Sequence, residues 1–194
     1  MRLDEIERRL SFRFDVRSMY TQRMDGKGQI QAASALIALG GNVGDVRATF
    51  RKAIADICNM AQATLIARSS DYSTPPWGDE HQARFINACI EIETGLDPHA
   101  LLSVLQKVEQ KFGRERDKAN RWGPRTLDLD LLAYDDVSLR ESELTLPHPR
   151  LFERAFVLVP LAEIAPDRLI GGRRIATAMA GLSTKGIERL ADTG

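Results

Sequence analysis

The order of apolar patterns along the 194-residue chain predicts an α+β domain with an antiparallel sheet. Four segments have the apolar content and length of strands, and two segments between them repeat apolar residues at helical spacing. Their order is strand, helix, strand, strand, helix, strand, which is the ferredoxin-like βαββαβ core with both helices on one face of the sheet. The other face is then free for a site or for further elements.

The first half of this core follows from one apolar run, one helix cap and one turn-rich loop. SALIALGG (34–41) is a short apolar run that ends in glycines, as buried strands do. Asp45 suits the N-cap of a helix whose apolar residues recur to about residue 61. ATLIARSSDYST (63–74) is predicted as one strand, and TPPWGDEHQAR (74–84) as a loop fixed by two prolines and a glycine.

The second half begins with a strictly alternating strand, RFINACIEIET (84–94). Asp97 and Pro98 start the second helix, which Gly113 ends. A charged loop leads to RWGPRTLDLDLLAY (121–134), whose leucine run predicts a central strand. A C-terminal extension follows: a hairpin over 135–146, a helix over 156–166 that tolerates Pro160 near its start, and a tail without a clear pattern.

Residues 1–33 lack strong core patterning and also lack the features of signal and transit peptides, so they are predicted as an N-terminal extension, part ordered arm or linker. The domain itself is predicted over 34–194.

Composition excludes several classes of protein. Lys plus Arg and Asp plus Glu are 27 each, so net charge favours no polyanionic partner. Cys58 and Cys89 lie in apolar segments, which predicts buried free thiols and a cytoplasmic location. The longest apolar runs are too short to span a membrane, and we expect a soluble monomer.

Two carboxylates in the last predicted strand are the strongest sign of chemistry. A period of two puts Asp128 and Asp130 on one face of that strand and the neighbouring leucines on the other. Like charges at such positions repel, and a divalent cation with oxygen ligands, such as Mg²⁺, would stabilise them. The alternative is an ordinary solvated face of an edge strand.

Arginines precede these carboxylates. One planar guanidinium group can donate to two phosphate oxygens at once. Phosphate binding is therefore predicted for four arginines, Arg114, Arg116, Arg121 and Arg125. The alternative of a mixed-charge surface loop is the better one for the lysines nearby.

Phe85 and Asn87 share a strand face, and further aromatics lie in or beside loops, an arrangement suited to stacking and fixing a flat heterocycle. Core packing is the alternative for Phe156.

The chain resembles the 6-hydroxymethyl-7,8-dihydropterin pyrophosphokinase family over about residues 35–166. The motifs that carry the resemblance, in matching order and spacing, are LGGNVGD, YSTPPWG followed by QARFINA (82–88), GRER with RWGPRTLDLDLL, LPHPR and RAFVLVPLAEIAP. Gly41 stands where that family usually has serine.

The resemblance implies transfer of pyrophosphate from ATP to a pterin alcohol in folate biosynthesis. It implies that two Mg²⁺ ions bind Asp128 and Asp130, and that Arg114, Arg116, Asp128 and Asp130 act in catalysis. Nucleotide binding is implied for Gln106, Glu109, Arg114, Arg116, Arg125, His148 and Arg154. Pterin binding is implied for Thr74, Pro75, Trp77, Phe85, Asn87, Trp122 and Phe156.

Two other classes of protein share the predicted order of elements. An RNA-recognition module needs aromatics on its central strands, but LIALGG and TLDLDLL offer none, and their acidic residues would repel a phosphate backbone. A regulatory domain that binds a ligand without turnover would leave the arginines beside the carboxylates unexplained. We therefore expect no nucleic-acid partner.

Overall fold

In the described part of the chain, an antiparallel sheet of six strands forms the centre of the fold. The structure is a computed structural model and describes residues 31–76, 82–113 and 123–191. The strands are β1 (Ala33–Gly41), β2 (Thr64–Arg68), β3 (Tyr72–Thr74), β4 (Phe85–Thr94), β5 (Asp128–Tyr134) and β10 (Glu188–Arg189). Their order is β10-β3-β4-β1-β5, and β2 also pairs with β4. This order confirms the predicted ferredoxin-like arrangement.

The two predicted helices are present and start at the predicted caps. Asp45 precedes α1 (Val46–Ala61) and its side chain accepts a hydrogen bond from the Ala48 amide. Asp97 precedes α2 (Pro98–Lys111) and caps the Ala100 amide in the same way. Both helices share one apolar core with the inner face of the sheet. The alternation of apolar residues along β4 and β5 therefore sets which face the helices cover.

A second apolar layer covers part of the opposite face. It is built by α3 (Ala155–Ile164), by the hairpin of β8 (Leu169–Ile170) and β9 (Arg173–Arg174), and by α4 (Ile175–Ala180). The predicted hairpin is present before it as β6 (Leu139–Arg140) and β7 (Thr145–Leu146). Pro160 lies in the middle of α3 rather than near its start, because the helix begins one residue before and ends two residues before the predicted bounds.

The two cysteines are free thiols, as predicted, but they differ in burial. Cys89 is fully buried in the second layer, and burial raises the pKa of its thiol. Cys58 is only half-buried at the edge of the helix-side core.

The prediction of one continuous strand over 63–74 is wrong. β2 ends at Arg68 and β3 begins at Tyr72, and the three residues between them are buried and polar. Asp71 explains the break, since its carboxylate receives Arg47 at 2.7 Å and Arg68 at 2.7 Å. A backbone that turns to meet these two charges cannot continue the strand ladder.

The prediction of a central last strand is also wrong. Within residues 31–76, 82–113 and 123–191, β5 pairs only with β1 and so lies at the edge of the sheet. Its leucine run reflects two covered faces: Leu129 and Leu131 face the helix-side core, and Leu132 faces the second layer. A β-bulge between the partners of Leu36 and Ile37 inserts one extra residue in β5, so Leu132 and Ala133 both lie in the second layer and Tyr134 returns to the helix-side core.

No helix in the described part of the chain is both long and apolar enough to cross a membrane.

We predict that residues 1–30, which lie outside the described residues, are dispensable. β1 begins at Ala33, which is 2% exposed and pairs with Thr94, so the sheet is complete from that residue. A protein that starts at residue 31 should keep its melting temperature and the expected turnover nearly unchanged. A protein that starts at residue 36 should melt lower, because it loses the first rungs of β1. Loss of activity in a folded protein that starts at residue 31 would contradict the prediction.

Candidate active site

The two carboxylates predicted as ligands lie at the start of β5, on the face of the sheet away from α1 and α2. Asp128 and Asp130 line a cavity of about 270 Å³, while Leu127 and Leu129 lie in the helix-side core. Their side chains are 24% and 34% exposed, so solvent screens their mutual repulsion only in part. The predicted division of this strand into an acidic face and an apolar face is confirmed.

Each carboxylate has an arginine partner from a different segment. Arg125 Nη1 lies 2.6 Å from Asp128 Oδ2, and Arg154 Nη1 lies 2.8 Å from Asp130 Oδ2. Both arginine side chains are largely buried, at 19% and 15% exposed. The positive charges offset the like-charge repulsion on β5 and place two guanidinium groups at the cavity wall.

His148 adds a neutral donor beside Asp130. Burial lowers the pKa of His148, and the nearby Arg154 and Arg150 lower it further against the opposing effect of Asp130. His148 Nδ1 accepts a hydrogen bond from the Arg150 amide at 3.2 Å, so the neutral ring carries its proton on Nε2. Nε2 lies 4.0 Å from Asp130 Oδ2 and faces the charged part of the cavity.

The remaining wall of the cavity is suited to a flat polar heterocycle. Asn87 Nδ2 donates to Thr74 Oγ1 at 2.8 Å, and both residues are buried, at 8% and 1% exposed. This bond fixes the orientation of the Asn87 amide. Phe85, Phe156 and Pro75 line the same wall, and Arg154 lies 5.8 Å from the centre of the Phe156 ring. One cavity thus combines aromatic and amide groups with paired charges.

Asn42 links the loop before β5 to the loop before β4. Its side-chain Oδ1 accepts a hydrogen bond from the backbone amide of Arg125 at 2.9 Å, and its own backbone amide donates to the Arg125 carbonyl at 2.9 Å. Its Nδ2 lies 3.3 Å from the Ala83 carbonyl. The backbones here are close: a Cβ on Gly41 would lie 2.6 Å from the Thr126 carbonyl oxygen, so a serine at this position requires the Thr126 loop to move.

Comparison with known proteins connects this geometry to a family. The family described as 7,8-dihydro-6-hydroxymethylpterin-pyrophosphokinase matches residues 36–166. A curated protein of Methylorubrum extorquens, named 2-amino-4-hydroxy-6-hydroxymethyldihydropteridine pyrophosphokinase, is 47% identical over 80% of this chain and 98% of its own length. A protein of the same name from Bacillus subtilis is 47% identical over 67% of this chain and 77% of its own. This chain belongs to the pyrophosphokinase family.

Solved structures agree with the family at the level of the fold. A wild-type Plasmodium falciparum HPPK-DHPS chain solved with pteroate has a TM-score of 0.62 at 13% identity. The match covers 79% of this chain but 43% of that one, so this chain spans less than half of the Plasmodium protein. Members of this family are pyrophosphoryl transferases of folate biosynthesis.

Most of the site residues that the family motifs predict, and that the structure describes, meet in the cavity. The predicted residues that line it are Thr74, Pro75, Phe85, Asn87, Arg125, Asp128, Asp130, His148, Arg154 and Phe156. Four others, Trp77, Arg114, Arg116 and Trp122, lie outside the described residues. Gln106 and Glu109, predicted on the nucleotide side, are on α2 and are not part of the cavity lining.

Glu109 holds the edge strand in place. It is 1% exposed, and its Oε1 accepts a hydrogen bond from the Leu129 amide at 2.8 Å. That amide lies between the two aspartates, on a strand that pairs on one side only within the described ranges. A buried amide without an acceptor costs about 1–3 kcal/mol, so Glu109 replaces a neighbouring strand at the point where the carboxylates must be aligned.

Sequence reasoning missed seven residues of the cavity wall: Ala38, Leu39, Gly40, Pro76, Gln82, Arg150 and Val157. Gln82 and Arg150 both lie within the motifs that carried the family resemblance. For Gly40 the signal is its place at the end of a buried strand, where it comes opposite Asn87 in the register of β1 and β4.

We predict that Gly40→Ala weakens binding of the pterin alcohol. A Cβ at Gly40 would lie 3.0 Å from Asn87 Oδ1, so the amide must shift by a few tenths of an ångström, which weakens its bond to Thr74. Pterin affinity, measured by calorimetry with a non-hydrolysable ATP analogue present, should fall by roughly three- to tenfold, within the worth of one hydrogen bond.

Gly181→Ala is the matched control, because the nearest atom to its Cβ would be the Ala178 carbonyl oxygen at 3.6 Å, an ordinary contact. It should bind pterin as the wild type does. Unchanged pterin affinity in Gly40→Ala would show that Asn87 does not need this space.

Proposed function

We propose that this chain transfers the pyrophosphoryl group of ATP to 6-hydroxymethyl-7,8-dihydropterin, giving AMP and the pterin pyrophosphate. The observation that carries the proposal is one cavity in which paired carboxylates and guanidinium groups meet an aromatic and amide wall. The first set suits a metal-bound triphosphate and the second a flat heterocycle. We further propose that the enzyme works as a cytoplasmic monomer with no nucleic-acid or membrane partner.

The nucleotide side is assigned to the charged groups. Arg125 and Arg154 are placed to move from carboxylate to phosphate oxygens, and neutral His148 presents its Nε2 proton to the same region. Arg114 and Arg116, which lie outside the described residues, are proposed to engage the phosphates. For Gln106 the proposed contact with nucleotide remains a prediction, and the buried position of Glu109 favours a role in holding β5.

The pterin side is assigned to the opposite chemistry. Asn87 and Thr74 supply an oriented amide and hydroxyl, while Phe85 and Phe156 supply faces for stacking. Pro75 lines the same wall. Trp77 and Trp122, which lie outside the described residues, are proposed to contact the pterin as well.

The donor set at the start of β5 fits Mg²⁺. The described residues contain no group of three or more His, Cys, Asp or Glu side chains placed to hold a metal ion by themselves. Mg²⁺ commonly takes one or two carboxylates and completes its shell with phosphate oxygens and water, so Asp128 and Asp130 suffice when nucleotide is present. We propose that they hold two ions, whose charge would stabilise the phosphate oxygens as bonds change.

Catalysis then consists mainly of positioning and charge neutralisation. The hydroxyl oxygen of the pterin alcohol forms a bond to the β-phosphorus and loses its proton. The bond from that phosphorus to the oxygen bridging to the α-phosphate breaks, and AMP leaves. Asn87 and the aromatic wall hold the alcohol in place, while Arg125 and Arg154 balance the charge of the leaving group. No described residue is assigned as general base.

We predict that Asp128→Asn and Asp130→Asn each abolish most turnover and keep the fold. Asn is nearly isosteric and relieves the repulsion on β5, but it removes a metal ligand whose contribution is several kcal/mol by rough order of magnitude. Chromatography of ATP, ADP and AMP with the pterin alcohol present measures both rate and product. The wild type should release AMP.

Asp136→Asn removes the same charge from an exposed position eight residues after Asp128 and should react normally. Accumulation of ADP with the wild type, or normal turnover by the two β5 variants, would contradict the proposed reaction.

We also predict that metal and nucleotide bind together. Without nucleotide the arginines neutralise Asp128 and Asp130, so a cation must displace them before it can bind. Phosphates give the arginines new partners and release the carboxylates. The spectrum of Mn²⁺ in electron paramagnetic resonance should therefore show free ion with the protein alone, and bound ion once a non-hydrolysable ATP analogue is added.

Arg125→Ala should raise Mn²⁺ affinity in the absence of nucleotide by roughly tenfold, because it removes a neighbouring positive charge. Arg140→Ala, in the exposed hairpin, should leave it unchanged. Tight Mn²⁺ binding by the wild type alone would show that the arginines do not compete with the metal.

A further inference from the structure

Glu163 in α3 joins two elements that each contribute a wall to the cavity. Its Oε2 accepts from the Ser70 amide at 3.0 Å and from the Tyr72 hydroxyl at 2.9 Å, and its Oε1 accepts from the Ser70 hydroxyl at 2.8 Å. Ser70 and Tyr72 lie where β2 breaks off and β3 begins, and Ser70 is 7% exposed. One carboxylate thus receives three directional bonds from a single short segment.

The geometry of helix and strand relates this contact to the cavity. Phe156 precedes Glu163 by seven residues, about two helical turns, so both lie on one face of α3 about 10 Å apart. Thr74 follows Tyr72 by two residues, so both lie on one face of β3 about 7 Å apart. Where Glu163 meets Tyr72, the same two faces continue to Phe156 and Thr74, which line the cavity.

The rest of the α3 interface cannot fix this relation as firmly. Val157, Leu158 and Leu161 pack on the sheet through apolar contacts, which are not directional and permit small sliding movements. Hydrogen bonds to a carboxylate are directional and stronger than those between neutral groups. The polar contact is therefore the element that sets the position of α3 relative to β3.

The C-terminal strand closes over the same contact. Arg189 Nε donates to Ser70 Oγ at 2.7 Å, and its Nη2 lies 3.7 Å from Glu163 Oε1. The Leu190 amide donates to the Asp71 carbonyl at 2.8 Å, and β10 pairs with β3. The segment that receives Glu163 is thus held from both sides.

The protonation states agree with this geometry. Burial alone would raise the pKa of Glu163, but hydrogen bonds from Ser70 and Tyr72 and the nearby Arg189 leave it below its usual value. Burial, with the bond to Glu163, raises the pKa of Tyr72 to about 12. At neutral pH the carboxylate is therefore ionised and the hydroxyl remains a donor.

We propose that Glu163 is a positioning residue for pterin binding. By fixing α3 against β3, it sets the gap between Phe156 and the Thr74–Pro75 segment, into which the heterocycle inserts. It acts on Asn87 as well, because the Asn87 amide is oriented by its bond to Thr74. The inference rests on the proposed function, in that it takes this wall as the pterin side.

The test separates pterin binding from nucleotide binding. Glu163→Ala and Tyr72→Phe should each raise the KM for the pterin alcohol and lower its affinity by roughly five- to tenfold, the worth of one typical hydrogen bond. The affinity for a non-hydrolysable ATP analogue, measured alone by calorimetry, should stay within about twofold, since Arg125 lies outside α3 and Arg154 is held to Asp130 by its own ion pair. Glu163→Gln keeps an acceptor for one donor and should lie between Glu163→Ala and the wild type.

Asp167→Asn is the matched control, because Asp167 is 85% exposed, follows Glu163 by four residues and forms its ion pair with Arg174 in the described part of the chain. It should behave as the wild type does. The double variant Tyr72→Phe with Glu163→Ala should bind pterin no worse than Glu163→Ala alone, because both changes break one contact.

Three outcomes would overturn the inference. The affinities for pterin and nucleotide could fall together, the double variant could show the sum of the two single effects, or Tyr72→Phe and Glu163→Ala could both bind pterin normally. Tyr72→Phe removes one hydroxyl only and keeps the test valid if Glu163→Ala does not fold. A wild type that makes no AMP from ATP and the pterin alcohol would instead contradict the proposed function.

Discussion

Two like charges on adjacent positions of one strand face repel each other, and the loops around the cavity are arranged to relieve that repulsion. Arg125 comes from the segment before β5 and Arg154 from the segment before α3, and each reaches one aspartate. Asn42 then ties the Arg125 backbone to the first strand. The compensation is temporary in the proposed cycle, because phosphates and metal replace arginine–aspartate pairs with arginine–phosphate and aspartate–metal pairs. The arginine–aspartate pairs therefore balance the charges of the site before the substrate binds, and the same side chains are then already in place for phosphate and metal.

The position of β5 at the sheet edge explains why a charged helix residue is buried. An edge strand in the described part of the fold lacks a neighbour for its outer amides, and Glu109 supplies an acceptor at Leu129. The backbone of His148 satisfies another polar group of β5, since its amide donates to the Leu132 carbonyl at 2.8 Å. The strand that carries the aspartates is thus held by side-chain and loop contacts, which place its start beside the Arg125 and Arg154 segments.

The pterin wall depends on contacts between layers rather than on one element. Thr74 and Asn87 belong to neighbouring strands and are joined by a hydrogen bond, whereas Phe156 belongs to a helix packed through apolar side chains. The proposed contact of Glu163 with Ser70 and Tyr72 fixes the position of that helix. Arg189 of β10 also bonds Ser70 and so helps to hold the same segment. The apolar contacts of the helix stabilise the fold, whereas the polar contact of Glu163 sets the position of the helix at the site. Variants at Glu163 are therefore expected to change pterin binding more than they change the stability of the fold.

The sequence by itself determined which residues form the main strands and helices, and which face of β4 and β5 is apolar, because periodicity and caps are encoded within a few neighbouring residues. Its motifs also determined most of the described cavity wall. Only the tertiary structure decided that β5 lies at an edge, that the strand over 63–74 breaks at Asp71, and that Glu109 binds the Leu129 amide. It also decided that Glu163 meets Ser70, 93 residues away along the chain. Such partners are chosen by packing across the whole domain, and no local pattern in the chain records which distant group a polar side chain will meet.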